Sequence, residues 1–253
     1  MIRQQSFWKG SAVLLLSAIA AKVLGACFKI PLTNVLGGTG MGYFSCAYGL
    51  LLPVYALSVT GISAAVAQTV ARAAALEHWN EVRRIHRISR LICGFFGLLL
   101  SLLMFLLAKP FADGVAAQPH AVFSVLAIAP AACFGCLTAA ERGYWEGLRT
   151  MTPTAVSQAV EAIVKLLAGL FFCHWVLSHP RQVCSFFPAE VPLSALAAAA
   201  AVLGVTLSTV LGWLYFGIRG LTHSARIPKG TDTAADTGTT VSYTHLTLPT
   251  ILR

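Results

Sequence analysis

Two lysines, Lys22 and Lys29, lie inside the first apolar stretch of the chain. An ammonium group at the centre of a membrane-spanning helix costs at least about 2.5–3.5 kcal/mol, so it must face protein or water. Seven residues advance a helix by about 700°, which leaves both side chains within about 20° of one direction. Ser11 and Thr33 fall on the same stripe. We expect this stripe to line a water-filled cavity, unless each lysine merely pairs with an acid on a neighbouring helix.

A second polar stripe crosses a later apolar stretch. It consists of Thr154, Gln158, Glu161 and Lys165. These spacings of four, three and four residues place the side chains within about 60° of one helix face. Glu161 and Lys165 form an i,i+4 pair in the favourable order, so a structural salt bridge is the open alternative to a role in a cavity.

The charges within the apolar stretches favour one class of ligand. Three lysines and one glutamate lie there, a formal excess of +2. A cavity of that sign attracts an anion such as a diphosphate and repels organic cations. Lysine binds phosphate as a point charge. Tyr48 and Tyr55, seven residues apart, are suited to contact a sugar, unless they only pack in the core.

The composition identifies the elements that position these residues. Apolar residues make up 57% of the 253 residues and charged residues 11%, whereas soluble domains carry about 25% charged residues. Six stretches are long enough to cross a bilayer, and none alternates as barrel strands do. They are residues 12–36, 43–75, 91–108, 121–140, 153–177 and 193–218. We expect an all-α membrane protein in which residues 1–220 form a six-helix transmembrane bundle.

The second stretch is too long for one straight crossing. We expect it to tilt or bend at Pro53, and we expect a tight turn at residues 37–40 (GGTG) before it. With the N-terminus inside, twelve Lys and Arg residues lie on the inner side, and only Lys109 and Arg181 lie outside. The positive-inside rule therefore predicts a cytoplasmic N-terminus. Because this bias accounts for the net charge of +9, we expect no nucleic-acid partner.

The inner segment 76–90 has a pattern of its own. Its apolar residues recur every three positions among arginines: Leu76, Trp79, Val82, Ile85 and Ile88, with Arg83, Arg84, Arg87 and Arg90. This pattern predicts a helix in the headgroup layer with its arginines toward anionic lipid. The alternative is a solvated loop that only follows the positive-inside rule.

No reactive set of residues accompanies these features. The seven cysteines show no spacing that indicates a disulfide framework, and Cys133 and Cys136 form a CxxC without a partner pair or a neighbouring His. The sequence shows no Ser/His/Asp set, paired carboxylates or phosphate-binding glycine loop, so we expect no enzyme, metal or cofactor. Gly143 and Gly147 form a GxxxG pattern, which predicts close packing of helix ends.

The end of the chain differs from the bundle. We expect residues 221–240 to form a polar cytoplasmic linker. Residues 241–253 (VSYTHLTLPTILR) resemble a translated sequencing-library adapter, which predicts a non-native tail. On this interpretation the gene continues, and the chain is the first half of a longer protein.

Two groups of segments resemble a known family. The first is residues 22–33 (KVLGACFKIPLT) with 40–42 (GMG) and 60–63 (TGIS), and the second is 142–147 (RGYWEG) with 151–158 (MTPTAVSQ) and Glu161. Together they are similar to the oligosaccharide flippase branch of the MOP (MATE-like) superfamily. Within it, the similarity is to the group of stage V sporulation protein B and polysaccharide biosynthesis proteins, relatives of the lipid II flippase. The resemblance covers about residues 7–220.

The resemblance implies two six-helix bundles around a central cavity in the bacterial cytoplasmic membrane. Such proteins move undecaprenyl-diphosphate-linked saccharides or peptidoglycan precursors outward by alternating access, for cell-envelope or spore-cortex polysaccharide synthesis. It implies that cations of the first helix, here Lys22 and Lys29, engage the diphosphate, with Arg142, Glu161 and Lys165 in support. The expected cavity residues are Lys22, Lys29, Thr33, Tyr48, Tyr55, Arg142, Gln158, Glu161 and Lys165. The expected partners are the lipid-linked anionic saccharide, membrane lipids and a C-terminal helix bundle that this sequence lacks.

Two other functions stay open at this point. A multidrug or cation antiporter of the same superfamily predicts acidic residues in the cavity, where only Glu161 qualifies. A membrane scaffold for envelope-synthesis enzymes requires no transport. A membrane enzyme ranks last, because no reactive set of residues is visible.

Overall fold

The computed structural model describes residues 7–56, 61–184 and 191–223, and every regular element in these ranges is helical. The elements are α1 (Phe7–Tyr55), α2 (Gly61–Ala75), α3 (Trp79–Pro110), α4 (Val122–Gly147), α5 (Thr152–Ser178), α6 (Pro180–Cys184) and α7 (Leu193–His223). A π-helical turn at Phe111–Val115 and a 3₁₀ turn at Pro119–Ala121 connect α3 to α4. The all-α fold class is confirmed. The predicted linker beyond residue 223 and the predicted tail 241–253 lie outside the described residues.

The first helix doubles back on itself at Gly37. The Phe28 and Phe44 ring centroids lie 6.0 Å apart, whereas sixteen residues of straight helix would separate them by about 24 Å. Thr33 Oγ1 likewise lies 3.8 Å from Met41 Sδ. Gly37 has φ 66° and ψ −171°, a backbone conformation that is essentially confined to glycine. The reversal therefore coincides with the glycine-rich stretch for which the sequence predicts a turn, and it divides α1 into a first arm and a second arm.

Five stretches of the described residues are long and apolar enough to cross a membrane. They are Gly10–Pro53, Trp79–Val115, Pro119–Gly147, Thr152–Ser178 and Leu193–Gly220. The first of them is 44 residues long and contains the reversal at Gly37, so it comprises two antiparallel arms. The chain is a multi-pass membrane protein. The expected count of six crossings matches these five stretches only approximately.

The long second crossing expected over residues 43–75 corresponds to parts of two helices. The second arm of α1 ends at Tyr55, and α2 begins at Gly61. Residues 57–60 between them lie outside the described residues, so the bend expected at Pro53 stays a prediction.

Helix α7 lies at the centre of the bundle. In the most apolar 18-residue stretch of α7, 72% of the residues are buried inside the protein. In the most apolar 18-residue stretch of α1, only 6% are buried. Small residues allow this close packing. A side chain at Gly204 of α7 would overlap the backbone of Gly169 in α5. Side chains at Gly143 and Gly147 would overlap α2 backbone, which confirms the close helix packing predicted for the GxxxG pattern.

The basic segment 76–90 does not form a separate helix in the headgroup layer. From Trp79 onward it is the first part of α3, continuous with the apolar part of that helix. Val82 is fully buried, and Trp79 and Ile85 pack against a cluster that contains Tyr144. The expectation of a surface helix is wrong. The apolar side chains that recur every three residues pack against protein, and no helix breaker separates this segment from the apolar part of α3.

Candidate functional site

A cavity of about 390 Å³ lies between the two arms of α1 and α5. Lys29 of the first arm, Tyr48 of the second arm and Lys165 of α5 line it. Phe28 and Phe44 add aromatic walls. Two ammonium groups and one phenol from separate helical segments therefore meet at one cavity, and this arrangement suits an anion attached to a partly apolar body.

Two other residues of the lysine stripe are placed differently. Lys22 and Thr33 are exposed, as Lys29 is, but neither is among the residues that line this cavity. Thr33 Oγ1 donates a hydrogen bond to the Lys29 carbonyl oxygen at 2.8 Å. The hydroxyl of Thr33 is therefore used within its own helix. Lys22 lies two turns before Lys29 on the same face of the first arm.

Arg142 of α4 forms the ion pair that the sequence suggested for Lys165. Its Nη2 atom donates to Glu161 Oε1 at 2.8 Å, and its Nε atom donates to Ser157 Oγ at 3.2 Å. The Arg142 and Glu161 side chains are only 13% and 16% exposed. Within the described residues, Glu161 forms no ion pair with Lys165. Glu161 and Lys165 still lie close enough to interact electrostatically, but the carboxylate of Glu161 makes its direct contact with Arg142.

The remaining polar residues of the α5 stripe connect that helix to its neighbours. Gln158 Oε1 accepts a hydrogen bond from Ser17 Oγ of the first arm at 2.8 Å. Thr154 is buried at the start of α5. A side chain at Gly212 of α7 would overlap the carboxyl group of Glu161, so this glycine makes room for it. The sequence analysis did not identify Ser17 and Gly212, because serine and glycine are common in apolar helices and indicate no site by themselves.

The two tyrosines have different environments. The ring centroid of Tyr48 lies 4.8 Å from that of Phe44, and Tyr48 lines the cavity. The ring of Tyr55 lies against Gly135 of α4, where any side chain would overlap it. Tyr48 is thus placed to meet a ligand, and Tyr55 packs between helices.

A third polar cluster, on α3 and α4, was missed by sequence reasoning. Glu141 is 3% exposed, and its carboxylate lies 3.0 Å from His86 Nε2 and 3.1 Å from Arg90 Nε. The His86 ring stacks on Tyr144 with centroids 3.9 Å apart. The available signal was an acid within an apolar helix, which requires a partner on a neighbouring helix.

The described residues contain no group of three or more His, Cys, Asp or Glu side chains that could hold a metal ion. Cys133 and Cys136 have unequal environments, since Cys136 is buried and Cys133 is half-buried. The polar side chains that line the cavity are those of Lys29, Ser45, Tyr48 and Lys165, and its other side chains are apolar.

Comparison with protein families gives one match that covers most of the chain. The family described as polysaccharide biosynthesis protein matches residues 7–243. No solved structure matches the chain.

Three curated proteins of Bacillus subtilis (strain 168) are similar to the chain. Stage V sporulation protein B is 25% identical over 163 residues, which are 64% of this chain and 32% of that protein. The uncharacterized membrane protein YabM is 25% identical over 216 residues, 85% of the chain and 38% of that protein. Lipid II flippase MurJ is 24% identical over 236 residues, 89% of the chain and 42% of that protein. The chain thus spans less than half the length of these relatives.

Proposed function

The chain belongs to the polysaccharide biosynthesis protein family, and on this basis we propose that it forms one bundle of a flippase for a diphosphate-linked saccharide in the bacterial cytoplasmic membrane. The observation that carries the proposal is the meeting of Lys29 and Lys165 at one cavity beside Tyr48. The lipid II flippase among the relatives is named for moving a lipid-linked molecule. We propose undecaprenyl-diphosphate-linked saccharide as the substrate of this chain.

The proposed mechanism needs no covalent step. Lys29 and Lys165 hold the diphosphate, Tyr48 contacts the first sugar, and the bundle rocks against a second bundle to change the side that is open. The proposed orientation places the N-terminus in the cytoplasm. Lys22 then lies on the cytoplasmic side of Lys29, where an entering headgroup passes first. Lys22 is therefore an entry residue in this proposal, and Lys29 is the binding residue.

The Arg142–Glu161 ion pair favours this function over a cation antiporter. Glu161 is the one acid of the α5 stripe, and its carboxylate is engaged by Arg142 at 2.8 Å. A cation substrate would have to displace a guanidinium from a pair that is mostly buried. A diphosphate would meet two lysines at the cavity, neither of which forms an ion pair among the described residues. Ethidium efflux driven by a sodium or proton gradient in the full-length gene product would contradict the proposal.

Binding is tested on the whole chain in phosphatidylcholine nanodiscs titrated with undecaprenyl diphosphate. K29Q and K165Q should each weaken binding about tenfold or more, because a hydrogen bond to a charged group contributes about 1.5–3 kcal/mol. K22Q should have a smaller effect. K109Q removes an exposed lysine from the end of α3, far along the chain from the cavity, and should have none. Equal affinity of K29Q, K165Q and the parent would reject the proposed site.

Transport is tested in the full-length gene product reconstituted into proteoliposomes. The K29Q/K165Q double variant should lose most of the flipping of lipid-linked saccharide, and K109Q should keep it. Pull-down of a glycosyltransferase by a variant that cannot flip would support the scaffold function. Undiminished flipping by the double variant would overturn the transport role of the lysines.

A further inference from the structure

Arg84 and Arg87 lie on an exposed side of the first turns of α3. At about 100° per residue, the two arginine side chains point within about 80° of three apolar side chains farther along the same helix. These residues, Leu91, Phe95 and Leu98, are 69%, 68% and 62% exposed. In a membrane protein such a stripe faces acyl chains. The two arginines therefore stand at the end of a lipid-facing surface.

Their depth along α3 corresponds to the headgroup layer. Residues 91–108 carry no charge, and this run lies between Arg90 and Lys109. The nineteen-residue separation of these two charges spans about 28 Å of helix, close to the thickness of about 30 Å of a bilayer hydrocarbon core. Arg87 and Arg84 lie about 4.5 Å and 9 Å beyond Arg90. That is where lipid phosphates lie, since headgroups add about 5–8 Å on each side.

Among the residues that the structure describes, no group compensates these two charges. Within the part of the chain that the structure describes, neither Arg84 nor Arg87 forms a hydrogen bond or an ion pair. Glu81, the nearest acid along α3, contacts His78 at 3.3 Å. The buried Glu141 is shared by other residues of α3. An anion from outside the protein is thus the available partner.

The segment that carries the arginines is held in place from its opposite side. Val82 is fully buried. His86 and Arg90 both contact the carboxylate of Glu141 on α4, at 3.0 and 3.1 Å. The His86 ring also stacks on Tyr144. These contacts fix the helix backbone before any ligand arrives, which lowers the entropy cost of binding.

We infer that Arg84 and Arg87 bind the phosphate headgroup of an anionic phospholipid, whose acyl chains lie along Leu91, Phe95 and Leu98. Guanidinium groups match the oxygens of a phosphate in a bidentate geometry. The apolar stripe next to them selects a lipid over free phosphate. Under the orientation stated in the proposed function, this lipid belongs to the cytoplasmic leaflet. The site is separate from Lys29 and Lys165.

The test is native mass spectrometry of the whole chain in detergent, titrated with phosphatidylglycerol or phosphatidylcholine. The parent chain should bind phosphatidylglycerol more tightly than it binds phosphatidylcholine. Each arginine near a lipid surface contributes about 1 kcal/mol, or about fivefold in affinity, so R84Q/R87Q should bind phosphatidylglycerol about 25-fold more weakly. R84K/R87K keeps both charges and should lose less. R181Q, which changes an exposed arginine on α6, should match the parent.

The outcomes separate this site from its alternatives. Equal affinity of the parent and R84Q/R87Q for phosphatidylglycerol would overturn the inference, provided that both unfold at the same temperature. Displacement of phosphatidylglycerol by millimolar inorganic phosphate would identify a phosphate site and not a lipid site, which also overturns it. Binding of undecaprenyl diphosphate is measured in phosphatidylcholine, so failure here leaves the test of the proposed function unaffected.

Discussion

Arg142 of α4 donates a 2.8 Å hydrogen bond to Glu161 of α5, and both side chains are largely buried. The pair joins two consecutive helices through charges nineteen residues apart. Lys165, one turn from Glu161 on α5, lines the neighbouring cavity together with Lys29.

Neutralising Glu161 should destabilise the bundle. In the E161Q variant the guanidinium of Arg142 stays mostly buried without an anion, and breaking a buried pair in this way costs about 3–5 kcal/mol. We expect a clearly lower midpoint of thermal unfolding in detergent, followed by circular dichroism. E77Q changes an exposed carboxylate and serves as the matched control. An unfolding midpoint for E161Q equal to that of E77Q would show that the pair contributes nothing to stability.

The reversal of α1 depends on the backbone freedom of Gly37. An alanine there meets no neighbouring atom within 4 Å, but it must adopt φ 66°. The cost is conformational, about 1–3 kcal/mol. We expect G37A to lower the unfolding midpoint, and we expect little change for G38A, where the added methyl group also meets open space. If the two variants unfold at the same temperature, the strain at Gly37 is absent.

Close approach of α5 and α7 depends on Gly204. An added methyl group would overlap the backbone of Gly169, so G204A should force the two helices apart and cost about 1–3 kcal/mol. G217A, on the same helix but in open space, should be neutral or slightly stabilising, because alanine favours helix over glycine. Thermal unfolding of both variants checks this prediction. A stable G204A would mean that the helices pack at a greater distance.

Glu141 should hold the first turns of α3 against α4. In E141Q the ion pair with Arg90 is lost and the contact with His86 is weakened, so this end of α3 should open more often. We expect faster hydrogen–deuterium exchange of the backbone amides of residues 80–88, with residues 100–108 unchanged. Uniform acceleration along α3 would indicate general destabilisation, and no acceleration would mean that apolar packing alone holds the segment.

Several features of the fold could be predicted from the sequence. Long uncharged runs such as residues 91–108 can be stable only as membrane-spanning helices, because their backbone groups must be paired within the segment. The turn at Gly37 was predictable, since a run of glycines between two apolar stretches indicates a reversal. The continuation of residues 79–90 into α3 was not. The same apolar spacing suits a helix that packs against protein and one that lies on a membrane surface.

The site was predictable in part. A lysine inside an apolar helix has to face protein or water, so Lys29 and Lys165 were recognisable as candidates from residue type and position alone. The partner of Glu161 was not recognisable. Lys165 is four residues away along the helix, whereas Arg142 reaches Glu161 only after α4 and α5 pack together.

Residue type and local spacing thus determined that this is a helical membrane protein with basic groups at one side and isolated charges inside its helices. The tertiary structure decided which of those charges line a cavity and which pair with one another. The physical reason is distance. Helix formation and membrane insertion depend on neighbours within one or two turns, whereas charge pairing depends on atoms a few ångströms apart in space, and only the packing of helices distant in sequence creates those contacts.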